Sequence, residues 1–178
     1  MVSEEEVIAK RSSFSLDAST HPHDKVFVLV FVIVLVLAPP MRTITLIIIH
    51  CSGNSATSKL RCADIDSYHR SLGWNGCGYH YVIPTDGEIE VGRPEEFVGS
   101  HCKGHNRHSI GICYIGGLDV HGKPADTRTD KQRASLRALL VELHKSYPHA
   151  LIVSHHDLNP HKSCPCFDAA TEYADLQP

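Results

Sequence analysis

The chain has 178 residues, enough for one domain with its own core and no need of disulfide staples. Net charge is −3 with histidine counted neutral and no long basic run occurs, which excludes electrostatic capture of nucleic acid. The compositional outlier is histidine, with 14 residues, the side chain that ligates metals and moves protons near neutral pH. The seven cysteines are odd in number and form no C-x-x-C pair, which points to mostly buried thiols in a reducing compartment, though one disulfide fits the count.

Residues 1–40 differ from the rest. A polar leader with three consecutive glutamates precedes VFVLVFVIVLVLA, an apolar run of thirteen at residues 26–38. A membrane-spanning helix needs roughly 20 such residues. Three readings stay open: a signal-like segment, an anchor that borrows MRTITLIII beyond Pro39-Pro40, and an extension upstream of a true start at Met41. The expected organisation is an N-terminal extension at 1–40 and one domain at 41–178.

From Thr43 onward the pattern predicts an α/β fold: a single domain with a central mixed β-sheet flanked by helices. TITLIIIH (43–50) is β-branched and almost continuously apolar, as in a strand buried on both faces. Residues 62–74 place Ile65, Tyr68 and Leu72 at helical spacing, with Gly73 as C-terminal cap. YHYVI (79–83) and EIEVG (88–92) read as a hairpin turning at Asp86-Gly87. SIGICYI (109–115) is a further strand. Residues 129–147 form the strongest helix, with Thr129 and Gln132 as a capping box and Leu136, Leu139, Leu140, Leu143 and Tyr147 on one face. ALIVSH (150–155) reads as a second buried strand, and a short helix over about 167–173 follows.

Two buried strands therefore end in histidine, His50 and His155. If they are sheet neighbours, both imidazoles reach one point at the strand ends, where sites in open sheets lie. The stretch SHHDLNPHKSCPCFD (154–168) then supplies Cys164 on a proline-bearing loop. Two imidazoles and a thiolate suit zinc with a fourth position open. The bland alternative is two strand-capping histidines and a small apolar cysteine, and spacing alone does not decide between them.

Four blocks in order, IIHCS (48–52), LGWNGCGYHYVIPTDGEIEVGRPEE (72–96), GSHCKGHNRHSIGICYIGG (99–117) and HHDLNPHKSCPCFD (155–168), make the sequence resemble the amidase type 2 family. That family holds phage amidase-type lysozymes, bacterial N-acetylmuramoyl-L-alanine amidases and peptidoglycan recognition proteins. The likeness spans about residues 43–175, and a cysteine rather than an aspartate as the third ligand, Cys164, places it nearest the phage branch.

The resemblance implies zinc-dependent hydrolysis of the amide between N-acetylmuramic acid and L-alanine in peptidoglycan. It implies His50, His155 and Cys164 as ligands of one Zn2+, Tyr79 as a catalytic hydroxyl, and Lys162 as a cation facing the substrate carbonyl. His101 and Asn106 are expected to line the groove for glycan or stem peptide, with His105, His108 and His161 as polar rim. A non-catalytic peptidoglycan-binding protein on the same fold is the alternative, and a structural-zinc module with Cys166 as fourth ligand a third reading. The loop from His155 to Cys164 is one residue longer than the familiar pattern, which leaves His156 as a rival ligand. The expected partner is peptidoglycan, with no nucleic acid, a monomeric state, and membrane association only through residues 26–38. A phage or prophage enzyme of this kind is made in the bacterial cytoplasm and acts at the cell wall.

Overall fold

A computed structural model describes residues 42–178, and the readings made for residues 1–40 lie outside that range. In chain order the elements are β1 (Leu46–Cys51), β2 (Asn54–Ser55), α1 (Cys62–Ser71), β3 (Tyr81–Ile83), β4 (Glu90–Val91), β5 (Ser109–Tyr114), β6 (Gly117–Leu118), α2 (Asp130–Ser146), β7 (Leu151–Ser154), α3 (His155–Leu158) and α4 (Ala169–Glu172). The main sheet has five strands in the order β4-β3-β5-β1-β7, all parallel except the β3–β4 pair. A small parallel pair, β2–β6, lies beside it. Fold class thus follows the expectation of a mixed sheet between helices.

The central position of β1 explains its apolar run. Ile47 and Ile49 face the cluster that takes Leu136, Leu139, Leu140 and Leu143 of α2. Ile48 and His50 alternate onto the opposite face and are equally buried. The capping box at Thr129 and Gln132 forms, and the Gln132 amide also donates to the carbonyls of Ile83 and Ile115 at 2.9 Å each. The hairpin turn closes through Gly87 N–H donating to Pro84 O at 2.9 Å, with Gly87 at φ 83°.

Three expectations change. In α1 the buried residues are Ile65 and His69, whereas Tyr68 is 61% and Leu72 50% exposed. His69 is held inside because its Nδ1 accepts Gly78 N–H at 3.0 Å and its ring stacks on Trp74 at 4.6 Å. β7 is an edge strand, so Leu151 faces solvent; the Gln177 amide pairs with Ile152 N–H and C=O at 3.0 and 2.8 Å and blocks that edge. All seven cysteines are free, but only Cys77, Cys102 and Cys113 are fully buried, fewer than expected. Among the described residues no helix is long and apolar enough to cross a membrane.

Candidate metal centre

β1 and β7 run parallel in register, Ile49 opposite Ser154, so His50 and His155 emerge at the same end of the sheet. His155 is not a strand residue: the chain turns at Ser154 into α3, and His155 is that helix's first residue. The turn is fixed by Ser154, whose N–H donates to Asp157 Oδ2 at 2.8 Å and whose hydroxyl donates to Phe167 O at 3.2 Å. The Nδ1 atoms of His50 and His155 lie 3.1 Å apart.

The loop after α3 brings Cys164 to the same point. Its Sγ is 3.8 Å from His50 Nδ1 and accepts Cys51 N–H at 3.1 Å. The loop is pinned by His156 N–H donating to Cys164 O at 2.8 Å and by Tyr114 hydroxyl donating to Pro165 O at 2.7 Å. Ligand atoms of His50, His155 and Cys164 all lie within 4.8 Å of one another. His155 rather than His156 stands in this group; the His156 ring pairs with Asp157 at 3.3 Å. Cys166 Sγ turns to Gly117 O at 3.4 Å and Cys51 Sγ at 3.9 Å.

Burial, with His101 and His155 alongside, holds the His50 imidazole well below its usual pKa; burial and then Lys162 lower that of His155. Both rings are therefore neutral at pH 7, the form that binds metal. The donor set fits zinc. Tetrahedral bonds of about 2.0–2.1 Å to nitrogen and 2.3 Å to sulfur set N···N near ~3.3 Å and N···S near ~3.6 Å. The observed 3.1 and 3.8 Å match those edges.

Tyr79 and Lys162 line the same cavity of about 280 Å³ as the three ligand candidates. The Tyr79 ring lies 5.2 Å from that of His50, and burial pushes its phenol well above its usual pKa, so the hydroxyl keeps its proton. A second cavity of about 450 Å³ has Trp74, Arg93, Lys103, His101 and Asn106 on its walls. Asn106 Oδ1 accepts the N–H groups of His101 and Cys102 at 2.9 Å each, shaping the loop that carries His101. The His101 ring reaches inward, with Nδ1 3.0 Å from His50 Nε2.

Sequence reasoning missed Arg42, His80 and Ser109. Arg42 donates to the carbonyls of Glu95, Phe97, Asn106 and Ser109 at 2.6–2.9 Å, tying together the two loops that flank His101. No sequence signal marks these residues: Arg42 and His80 act through partners far along the chain, and Ser109 through a loop that folds His101 back beside it.

A family profile described as N-acetylmuramoyl-L-alanine amidase matches residues 40–167. The chain belongs to that family. The amidase is 44% identical to the endolysin of Klebsiella phage KP32 over 122 residues, covering 68% of this chain and 80% of that one. It is 43% identical to the endolysin of Escherichia phage T7, also over 122 residues, with 68% and 80% coverage. Among solved structures, N-acetylmuramoyl-L-alanine amidase LysC from Clostridium intestinale superposes with a TM-score of 0.63 at 31% identity, covering 76% of this chain and 86% of that one. Drosophila PGRP-LB shares the fold, with a TM-score of 0.62 at 24% identity and coverage of 75% and 81%.

Proposed function

We propose that the amidase is zinc-dependent and cleaves the bond between N-acetylmuramic acid and L-alanine in bacterial peptidoglycan, as a lytic enzyme of phage or prophage origin. One observation carries this reading: two neutral imidazoles and a thiol converge within 4.8 Å, in a cavity that also presents Tyr79 and Lys162. His50, His155 and Cys164 are assigned as ligands, leaving a fourth position toward the cavity. Zinc bound there would activate water and polarise the scissile carbonyl.

The chain's own groups supply the rest. The Tyr79 hydroxyl orients the attacking water or passes a proton to the leaving alanine amine. Lys162 places a positive charge where negative charge develops on the carbonyl oxygen. The cavity bounded by Trp74, Arg93, His101 and Asn106 takes the glycan or stem peptide. Residues 41–178 form the catalytic domain, acting as a monomer on the wall.

The test is digestion of peptidoglycan with product analysis by mass spectrometry, with and without a chelator. Free stem peptides bearing a new alanine N-terminus, lost on chelation and restored by zinc, are expected. Intact glycan–peptide linkages with retained wall binding would overturn the proposal.

A further inference from the structure

Two glycines open a slot for one imidazole. A Cβ at Gly111 would sit 2.5 Å from the His101 ring, and one at Gly99 2.6 Å from it. Ser109, Gly111 and Cys113 share one face of β5, and Cys113 is the register partner of His50. His101 therefore lies flat over β5, directly beside the His50 side chain.

The hydrogen bonds around this ring define where its proton sits. Ser109 donates its hydroxyl proton to His105 O at 2.8 Å. Toward His101 Nε2, 3.4 Å away, it offers only lone pairs. This arrangement favours His101 Nε2 as the donor, with the Nδ1 lone pair facing His50 Nε2 at 3.0 Å. In that arrangement His50 Nε2 carries the proton. A neutral imidazole has one, so His50 Nδ1 is left bare, and that is the atom 3.1 Å from His155 Nδ1 and 3.8 Å from Cys164 Sγ.

We propose that His101 is a positioning residue: with Ser109 behind it, it fixes the His50 tautomer that presents Nδ1 to the metal position. The proposal rests on the zinc reading above. An outer partner of this kind sets the ring orientation and raises ligand basicity.

Two substitutions separate positioning from substrate contact. His101→Phe keeps a ring in the slot and removes the acceptor; His101→Asn keeps an acceptor near the Nδ1 position. In metal-free protein, long-range 1H–15N correlation spectra should show His50 protonated at Nε2 and bare at Nδ1 in the wild type and in His101→Asn. In His101→Phe the proton should shift toward Nδ1. Zinc affinity by chelator competition should fall about 10–100-fold in His101→Phe, the usual cost of losing an outer partner, and largely recover in His101→Asn.

A wild-type His50 protonated at Nδ1 would overturn the proposal. So would His101→Phe with native zinc affinity and only a raised KM, which would leave His101 a groove residue. Should His101→Phe fail to fold, Ser109→Ala carries the test: unchanged tautomer populations at His50 and His101 would overturn it. Failure of the zinc reading looks different, because the wild type itself would then bind no zinc while the tautomer spectra still decide the His50–His101 contact.

Discussion

His50 and His155 are 105 positions apart in sequence, yet their Nδ1 atoms stand 3.1 Å from each other. The β1–β7 ladder causes this: two parallel neighbours in register end together, and each delivers an imidazole as it ends. The third candidate ligand comes from a loop whose backbone is tied to α3 at His156 and to the sheet at Tyr114. Rigid strands set two positions and a pinned loop sets the third, the arrangement a small tetrahedral ion requires.

Removing the thiol should remove the metal. Cys164→Ser replaces a thiolate with a neutral hydroxyl, a poor zinc ligand. Zinc affinity should drop by more than about 100-fold, the upper end of what losing an outer partner costs, and wall hydrolysis should go with it. Equilibrium dialysis with metal analysis is the measurement. Native stoichiometry in Cys164→Ser would place the third ligand elsewhere.

Tyr79 should be separable from metal binding. Its phenol is protonated and packed beside the Cys113 thiol, outside the three-ligand group. Tyr79→Phe keeps the ring and its packing. Zinc content and stability should stay near native, while kcat falls by about 10²–10⁴, the usual contribution of a positioned proton donor or acceptor. An unchanged kcat would remove the hydroxyl from the mechanism.

Much of this was readable in the chain because it is local. An almost continuous β-branched apolar run marked β1, and period-3.6 leucines with Thr129 and Gln132 marked α2. What was not readable depends on pairing across the fold. Tyr68 looked apolar enough for a helix stripe, but His69 takes the interior because Gly78 and Trp74, later in sequence, satisfy it. Gly111 reads as a weak point in a strand until His101 is seen lying on it. Arg42 is one cation in the sequence and a five-carbonyl clamp in the fold.

Cys166 should prove dispensable for metal binding. It sits two residues from Cys164, but its Sγ faces Cys51 and the Gly117 carbonyl. Cys166→Ala is expected to retain one zinc per chain and most of the hydrolytic rate. A matched loss of zinc and rate would make it a fourth protein ligand and the centre a structural one.

His80 should impose an acid limit on stability. Its ring is fully buried, its Nδ1 accepts Gly111 N–H at 2.9 Å, and its Nε2–H points at Phe97 O at 3.1 Å. The Gly111 bond needs the neutral form, because Nδ1 must keep its lone pair, and burial lowers the pKa from 6.5 to about 4 although the Phe97 carbonyl favours the charged ring. Between those two values the unfolded chain binds the proton and the folded chain does not, so stability rises with pH across this window. Above 6.5 the effect is fully expressed; as pH falls through the window it is lost, by roughly 3 kcal/mol at one pKa unit per 1.36 kcal/mol. Burial lowers His50 and His101 in the same direction, so the His80 share must be taken as a difference. Asparagine offers an acceptor to Gly111 without a titrating ring. Urea unfolding of wild type and His80→Asn at pH 7 and pH 4.5 should show the wild type losing markedly more stability on acidification. Parallel losses in the two proteins would mean that His80 titrates normally and that acid acts elsewhere.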